Sequence, residues 1–229
     1  ARYEPLGIVL AVMPWNFPLW QVMRFAAPAL MAGNAGLLKH ASNVPYSAQY
    51  LGSLFERAGF PRGSFVNLMI SAAKVAKVID DPRVRAVTLT GSEPAGRAVA
   101  ERAGRQIKKV VLELGGPDPL VVPPSTDVRK PADTAVKARM INNGQSCIAA
   151  KRFIVHEDVY EEWLETFVGE MGKLAMGDPM EPGVDVGPLA TKNGQIEIAG
   201  LVEDAKSKGA RVLLGGETPE GPGFFYPPT

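Results

Sequence analysis

Short apolar runs alternate with longer helical stretches through the first half of the chain, and this alternation restricts the folds that the chain can adopt. Strand-like runs occupy residues 6–12, 37–38, 65–69, 85–90 and 109–114. Periodic stretches that favour helices lie between them, at residues 18–32, 45–58, 72–80 and 94–104. Strands that alternate with helices predict parallel β-α units whose sheet is covered on both faces. We therefore expect an α/β fold with a parallel, Rossmann-like sheet.

The character of the sequence changes after the Gly115-Gly116 pair. The stretch PDPLVVPPSTD, residues 117–127, is rich in proline and predicts a turn-forming junction between two domains. A helix is expected from about Asp127, as its N-cap, to a stop at Asn143-Gly144. Further strands are expected at residues 152–156 and 211–214, and helices at residues 157–173 and 191–208. The sequence thus predicts a cofactor-binding domain over residues 1–115 and an incomplete second α/β domain over residues 116–229.

Composition excludes several classes of protein. The 229 residues carry 25 basic and 24 acidic side chains, a formal charge of +1 that gives no indication of a nucleic-acid partner. The apolar segment around Pro28 is too short to span a bilayer, so no membrane partner is expected. The opening apolar run is interpreted as a buried strand rather than as a signal peptide. Both ends look cut, which predicts that the chain is a segment of a longer protein.

A single cysteine, Cys147, lies in the run NNGQSCIAAKR. One cysteine excludes an internal disulfide, is too few for a structural zinc site, and is typical of a reducing compartment, hence the cytoplasm. A lone cysteine is often only a small buried hydrophobic residue. Here, however, Gly144, Gln145 and Ser146 form a polar, flexible approach that is unlike a core strand. If CIAAK opens a helical turn, its amide N–H groups would favour the thiolate, the form that attacks a carbonyl carbon.

Two further segments place polar groups in otherwise apolar surroundings. In LELGG, residues 112–116, Glu113 lies in an apolar strand, where burial would make its carboxylate a useful general base. The alternative is an inward glutamate whose oxygens accept backbone N–H groups. In PWNFP, residues 14–18, Asn16 offers an amide donor that would hold a developing oxyanion, or it simply forms a turn.

Two segments that follow predicted strands are candidates for cofactor binding. TGSEPAG places Gly91, Ser92 and the start of a helix where they would cradle a phosphate, although a strand–turn–helix connection needs a glycine in any case. Lys39, in LLKHASN, lies at the end of a strand where parallel sheets bind ligands, and the alternative is a solvent-exposed lysine. We expect no metal site, because neither His40 nor His156 has a metal-ligand neighbour, and both histidines are interpreted as non-functional.

The order of these motifs carries more information than any one of them. PWNFP, KHAS, TGSxxxG, LELGG and GQSC together resemble the aldehyde dehydrogenase family along essentially the whole chain. The run NNGQSCIAAKRFIVH, with LTGSEPAG, most resembles the succinate-semialdehyde dehydrogenase branch of that family. The resemblance covers the later part of the family's cofactor domain and the front part of its catalytic domain.

The resemblance implies a role for each candidate residue. Cys147 would be the nucleophile, Glu113 the base, and Asn16 with the Cys147 backbone N–H the oxyanion hole. Lys39 would hold the adenine ribose, and Ser92 with its helix would face the pyrophosphate. The same resemblance places further residues along the NAD(P) groove, namely Pro14, Trp15, Ser42, Gly91, Leu114 and Gly115. The implied reaction is oxidation of an aldehyde, such as succinate semialdehyde, to its carboxylic acid through a cysteine thiohemiacetal and a thioester.

The chain departs from the family pattern at two places. Ser42 stands where many family members have a glutamate that repels a 2′-phosphate, so NADP is expected in preference to NAD. Pro117 replaces the usual Lys or Ser after the Gly-Gly pair and stiffens the segment that follows the base. An acidic substrate needs basic groups near the pocket, for which Arg24 and Arg139 are candidates because they are close to the motifs.

Two alternatives to hydrolytic aldehyde oxidation stay open on the sequence. A CoA-acylating relative would resolve the thioester with a thiol, whereas Glu113 is the general base that water requires. A non-catalytic scaffold with the same fold would have lost the chemistry, although Cys147, Glu113 and Asn16 are all present. The resemblance also implies that the full-length protein is a homo-oligomer that acts on a small aldehyde.

Overall fold

The computed structural model describes residues 2–124 and 127–229. The chain divides into two compact units, Ala1–Gly115 and Gly116–Thr229. The division falls at the glycine pair where the character of the sequence changes. Each unit has its own sheet and its own apolar core.

The first unit is built on one parallel sheet. Its strands are β1 (Ile8–Met13), β2 (Ala35–His40), β3 (Phe65–Asn67), β4 (Val84–Gly91) and β5 (Lys109–Leu114). The order across the sheet is β3-β2-β1-β4-β5, and all neighbouring strands are parallel. Because β2 and β4 lie on opposite sides of β1, the winding of the chain reverses at β1. Parallel sheets bind ligands at such a reversal, beyond the carboxyl ends of the strands.

Helices cover both faces of this sheet. They are α1 (Trp20–Met31), α2 (Pro45–Arg57), α3 (Val75–Asp80), which follows a 3-10 turn at Ala72–Lys74, and α4 (Glu93–Arg105). One core cluster joins α1 and α2 to the sheet, and a second cluster joins α3 and α4 to it. Ala11 belongs to the first cluster and its neighbour Leu10 to the second. Successive residues of β1 therefore enter opposite cores, which is why its run is continuously apolar.

The second unit has a smaller parallel sheet and an aromatic core. Its elements are β6 (Pro119–Val122), α5 (Arg129–Met140), β7 (Arg152–Val155), α6 (Tyr160–Gly172) and α7 (Lys192–Ser207). β6 pairs in parallel with β7. Trp163 stacks on Phe167 with ring centroids 4.7 Å apart, and Phe153 of β7 contacts both rings. Thr191 caps α7, because its side chain accepts the Gly194 N–H at 3.1 Å.

The structure corrects two expectations for the second unit. The proline-rich junction contains a strand, β6, where only turns were expected; Pro119 is its first residue, the place in a strand that tolerates proline. Ser125 and Thr126 of the same stretch lie outside the described residues. Residues 211–214 were expected to form a strand, and this is wrong because no strand of the described chain pairs with them. Instead, their side chains line a cavity of about 370 Å³ beside the aromatic core.

The remaining predicted helices and strands are present, and the expected α/β fold with a parallel sheet is confirmed. Their ends differ from the expected ones by a few residues. The helix expected from Asp127 begins at Arg129, and the Asp127 carboxylate accepts the Arg129 N–H at 3.2 Å. Asp127 therefore acts at the start of the helix, one position before its N-cap residue, Val128.

Two kinds of feature are absent from the part of the chain that the structure describes. None of its helices has the length and apolar character that crossing a membrane requires, and the longest, α7, has 16 residues. No three side chains of the types His, Cys, Asp and Glu come together there as a metal site would need.

The covered sheet predicts where the first unit is sensitive to substitution. Leu38 of β2 is 0% exposed, so Leu38→Ala should lower the free energy of unfolding of this unit by about 2–5 kcal/mol. Met31 at the end of α1 is 78% exposed, and Met31→Ala should change that free energy by less than about 0.5 kcal/mol. Urea titrations of the two variants would measure both values. Equal losses would contradict the assignment of Leu38 to the core.

Candidate active site

The carboxyl ends of four neighbouring strands meet at one edge of the sheet in the first unit. Met13 at the end of β1 pairs with His40 at the end of β2, and Gly91 of β4 pairs with Leu114 of β5. The residues predicted to contact a cofactor all lie at this edge or in the loops just beyond it: Pro14, Trp15, Lys39, Ser42, Gly91, Ser92, Leu114 and Gly115. The structure thus brings together residues that are far apart in the sequence.

Asn16 lies in the loop between β1 and α1. Residues 14–18 of this loop are all half-buried, so the amide is neither in the core nor freely exposed. The Asn16 Oδ1 atom accepts the backbone N–H of Phe17 at 3.1 Å. This bond orients the amide within the loop, and a fixed orientation is what a donor to a developing negative charge requires.

Lys39 borders a small apolar cavity between the sheet and the helices α3 and α4. The cavity has a volume of about 220 Å³, and its other lining residues include Val75, Ile79, Leu89 and Val99. Lys39 is only 9% exposed, and this burial lowers the pKa of its ammonium group. The alternative of a solvent-exposed lysine is therefore wrong. A buried cation beside an apolar cavity favours a ligand that combines a flat apolar group with polar or anionic groups.

The start of α4 lies at the same edge. Ser92 is the N-cap residue of this helix and directly follows Gly91 at the end of β4. A Cβ atom on Gly96 would come within 2.7 Å of a Leu114 methyl group, so a glycine at this position allows α4 to approach the end of β5 closely. The first turn of α4 is thereby held beside β5, and the N-terminus of a helix attracts phosphate groups.

Glu113 lies on β5 and faces a cation, and its expected burial is wrong. Its side chain is 54% exposed, because β5 is an edge strand of the sheet. The Glu113 Oε2 atom lies 3.7 Å from Nη2 of Arg24, which also donates to the Thr90 hydroxyl at 3.4 Å. These three side chains line a cavity of about 560 Å³ together with Gln21 of α1. The Glu113 carboxylate therefore lines a cavity that is large enough for a small molecule.

Cys147 lies in the second unit, in an irregular loop between α5 and β7. It is half-buried rather than part of the core. The condition that CIAAK opens a helix is not met: the segment forms a single turn, in which the Ala149 N–H donates to the Ser146 carbonyl at 3.2 Å. The Lys151 N–H binds the Asp118 carbonyl instead, at 3.0 Å, and this bond directs the chain into β7 rather than into a helix.

The segment before Cys147 adopts an unusual backbone conformation. Asn142, Asn143 and Gly144 have φ values of 53°, 54° and 74°, three consecutive residues in the left-handed region. Asparagine tolerates this region better than most residues, and glycine enters it without a steric cost. A Cβ atom on Gly144 would lie 2.7 Å from Nη2 of Arg139, so a larger residue there would displace this guanidinium.

Arg139 holds the Cys147 loop, residues 142–151, from both sides of the thiol. Its Nη2 donates to the Gly144 carbonyl at 2.9 Å and its Nη1 to the Ala150 carbonyl at 3.2 Å. Burial lowers the pKa of this guanidinium. Arg139, a candidate for binding an acidic substrate, thus donates to the backbone of the loop through both of its terminal nitrogens. Arg24, in contrast, keeps 42% of its side chain exposed.

Sequence reasoning missed two side chains that hold these loops. Asn143 accepts the Gly187 N–H at 3.1 Å and donates to the Pro188 carbonyl at 3.2 Å, which anchors the Cys147 loop to residues 187–188. His40, interpreted as non-functional, is buried, and its ring lies within hydrogen-bond distance of three backbone groups. The Asn-Asn-Gly run could have indicated the role of Asn143, since such a run favours left-handed backbone. Nothing in the sequence indicated the role of His40.

Comparison with known proteins places these features in a family. The family model described as "Aldehyde dehydrogenase family" matches residues 1–229. Succinate-semialdehyde dehydrogenase [NADP(+)] from Mycobacterium avium is 60% identical over 228 residues, which are 100% of this chain and 48% of that protein. The enzyme of the same name from Mycobacterium leprae is 60% identical over 229 residues, 100% of this chain and 50% of that protein.

Solved structures agree with the sequence comparison. The crystal structure of succinic semialdehyde dehydrogenase from Streptococcus pyogenes, in complex with NADP+, superposes with a TM-score of 0.93 at 39% identity. It matches 98% of this chain and 50% of that one. The chain thus spans about half the length of the relatives that it matches. The chain belongs to the aldehyde dehydrogenase family.

Proposed function

We propose that the complete protein is an NADP-dependent aldehyde dehydrogenase that oxidises succinate semialdehyde to succinate. The observation that carries the proposal is the convergence of Asn16, Lys39, Ser92 and Glu113 at one edge of a parallel sheet, beside two cavities. Relatives at 60% identity bear the name of this activity. Residues 1–115 then form the later part of the cofactor-binding domain, and residues 116–229 the front part of the catalytic domain. A single cysteine in 229 residues supports a reducing, cytoplasmic location.

The residues at the sheet edge fit a dinucleotide. The apolar cavity between α3 and α4 accommodates a flat base, and the buried Lys39 ammonium at its wall binds the ribose or its phosphate. Gly91, Ser92 and the first turn of α4 face the pyrophosphate, while Pro14, Trp15, Leu114 and Gly115 line the path towards the reacting end. NADP+ held by these residues would supply the acceptor for the hydride that leaves the substrate.

Cys147 supplies the nucleophile. Its thiolate adds to the aldehyde carbon, and the new C–S bond leaves a negative charge on the former carbonyl oxygen. The Asn16 amide and the Cys147 backbone N–H donate hydrogen bonds to that oxygen. Departure of the hydride leaves a thioester on Cys147, so the carbon is oxidised by two electrons. The hydrogen bonds of Arg139 and Asn143 support this role, because they fix the loop that carries the sulfur.

Glu113 releases the product. Its carboxylate takes a proton from water, the resulting hydroxide attacks the thioester, and the C–S bond breaks to return the thiolate and free the acid. The exposure of Glu113 to a cavity supports this role, since water must reach it.

Arg24 makes the cavity beside Glu113 best suited to a substrate that carries a carboxylate. Its guanidinium lines the same cavity as Glu113 and keeps part of its surface exposed. Succinate semialdehyde carries a carboxylate at the end opposite the aldehyde, and a guanidinium binds a carboxylate through paired N–H donors.

The proposed nucleophile gives the most direct test. Cys147→Ala should lower kcat for aldehyde oxidation in the complete protein by about 10³-fold or more, because no other thiol in this chain can form the thioester. NADPH binding, measured by fluorescence titration, should be unchanged. Activity close to that of the unsubstituted protein would contradict the role of Cys147.

The product formed in the presence of CoA tests the acylating alternative. The unsubstituted protein, incubated with aldehyde and CoA, should still give the free acid. Formation of a CoA thioester would instead support the acylating alternative.

The assignment of Arg24 predicts a change in substrate preference. Arg24→Gln should raise KM for succinate semialdehyde by about tenfold or more, because a charged hydrogen bond to the substrate is lost. KM for butanal, which has the same carbon chain without the carboxylate, should change little. Arg24→Lys keeps the positive charge, so its KM for succinate semialdehyde should lie between those of the unsubstituted protein and of Arg24→Gln. Parallel increases of KM for both aldehydes would show that Arg24 acts through Glu113 and not on the substrate carboxylate.

Ser42 lies in the exposed turn after β2, and its replacement tests the choice between NADP and NAD. Ser42→Glu should lower the ratio of kcat/KM for NADP to that for NAD by about tenfold or more, because a carboxylate near Lys39 repels the 2′-phosphate. Ser53→Glu adds the same charge on an exposed face of α2 and is the matched control. A strong preference for NAD in the unsubstituted protein would refute the proposed use of NADP.

A further inference from the structure

His40 occupies the junction between two strand ends. It is the last residue of β2, and its backbone pairs with Met13, the last residue of β1. The chain leaves β1 at this point and enters the loop of residues 14–18, which carries Asn16. His40 is 5% exposed, so its ring has exchanged water for the backbone groups around it. A buried imidazole is stable only when both of its nitrogens find partners.

The backbone groups around the ring select one tautomer. Nε2 lies 2.9 Å from the Pro18 carbonyl oxygen, which can only accept a hydrogen bond. Nδ1 lies 3.0 Å from the Ala41 N–H, which can only donate. The neutral ring with its proton on Nε2 satisfies both groups, whereas a proton on Nδ1 would face the Ala41 N–H. Nδ1 also lies 3.3 Å from the Met13 carbonyl, a longer contact than the other two.

The ring stays neutral near pH 7. Burial lowers the pKa of His40, and the positive charge of the neighbouring Lys39 acts in the same direction, while the carbonyls of Pro18 and Met13 oppose them. His40 is therefore a fixed hydrogen-bond donor to Pro18 and not a group that exchanges protons with a substrate.

This donor fixes the far end of the loop that carries Asn16. The near end is fixed because Met13 belongs to the sheet. The far end is fixed because the Pro18 carbonyl is bound to His40. The four residues between these points, 14–17, then have little freedom, and the Asn16 amide is further oriented by the Phe17 N–H.

We propose that His40 is a positioning residue for the reaction: its Nε2–H holds the Pro18 end of the loop and thereby keeps the Asn16 amide in place for the developing oxyanion. The inference rests on the proposed function, in which Asn16 donates to that oxyanion. It assigns a role to a histidine that is only 5% exposed and whose ring is bound to backbone groups. Displacement of a donor by even 1 Å weakens catalysis strongly, so a small loosening of the loop suffices for a large effect.

A double-mutant cycle in the complete protein tests the coupling between the two residues. His40→Phe keeps a flat ring and removes the Nε2–H, and it should lower kcat for aldehyde oxidation by roughly 10-fold to 100-fold. Asn16→Ala alone should lower kcat by about 10²–10³-fold. In the Asn16→Ala background, His40→Phe should have little further effect, because the group that it positions is already gone. His40→Gln, whose amide nitrogen is able to donate to Pro18, should recover part of the loss.

Three controls separate a positioning role from general damage. His156→Phe changes the other histidine, which lies at an exposed 3-10 turn of the second unit, and should leave kcat unchanged. The Kd for NADPH should change less than kcat does in each variant, since Lys39 and Ser92 are untouched. If His40→Phe does not fold, the same cycle is carried out with His40→Asn, whose shorter amide stays polar but does not reach the Pro18 carbonyl.

The outcomes distinguish this inference from the proposed function. Losses of kcat that multiply in the double variant would overturn the link between His40 and Asn16 while leaving aldehyde oxidation intact. Unchanged kcat in His40→Phe would overturn it equally. An unsubstituted protein that does not oxidise aldehydes would overturn the proposed function, and this inference with it.

Discussion

The parallel pairing of five strands is the constraint on which the rest of the first unit depends. Parallel strands need a crossover after each strand, so helices cover both faces of the sheet and the chain returns each time to the same starting edge. All strands therefore end at one opposite edge, and the loops there lie outside the two covered faces. Backbone N–H groups, a helix N-terminus and polar side chains accumulate at this edge, because the two covered faces exclude them. The location of the site follows from the pairing of the strands.

The loops that carry the candidate chemistry are held by side chains and not by secondary structure. Irregular backbone leaves carbonyl groups without partners in a helix or sheet, and such groups are costly when they are buried. Arg139 binds the carbonyls on both sides of Cys147, and His40 binds the carbonyl at the end of the Asn16 loop. Asn143 ties the Cys147 loop to residues 187–188. Both loops thus gain a fixed geometry without becoming regular elements. A fixed geometry of this kind is what the proposed chemistry requires of its donors and nucleophile.

Prediction from the sequence succeeded where local pattern and packing agree, and it failed where long-range pairing decides. β1 is continuously apolar because both of its faces are covered, and β4 is apolar at most of its positions, so both strands were found from their residues alone. β6 was missed because prolines suggested turns, although the partner strand β7 supplies its hydrogen bonds. Residues 211–214 have the composition of a strand and lack a partner in the described chain. Strand formation depends on a neighbour that local sequence does not reveal.

The sequence by itself determined the fold class, the family and the identity of the candidate groups, because apolar periodicity and motif order are local properties of the chain. Only the tertiary structure decided what those groups touch. It buried Lys39, exposed Glu113 to Arg24, assigned Arg139 to the backbone around Cys147, and gave His40 a carbonyl to bind. The physical reason is that burial and hydrogen bonding depend on residues brought together from distant positions, and the spacing of residues along a chain carries no record of those contacts.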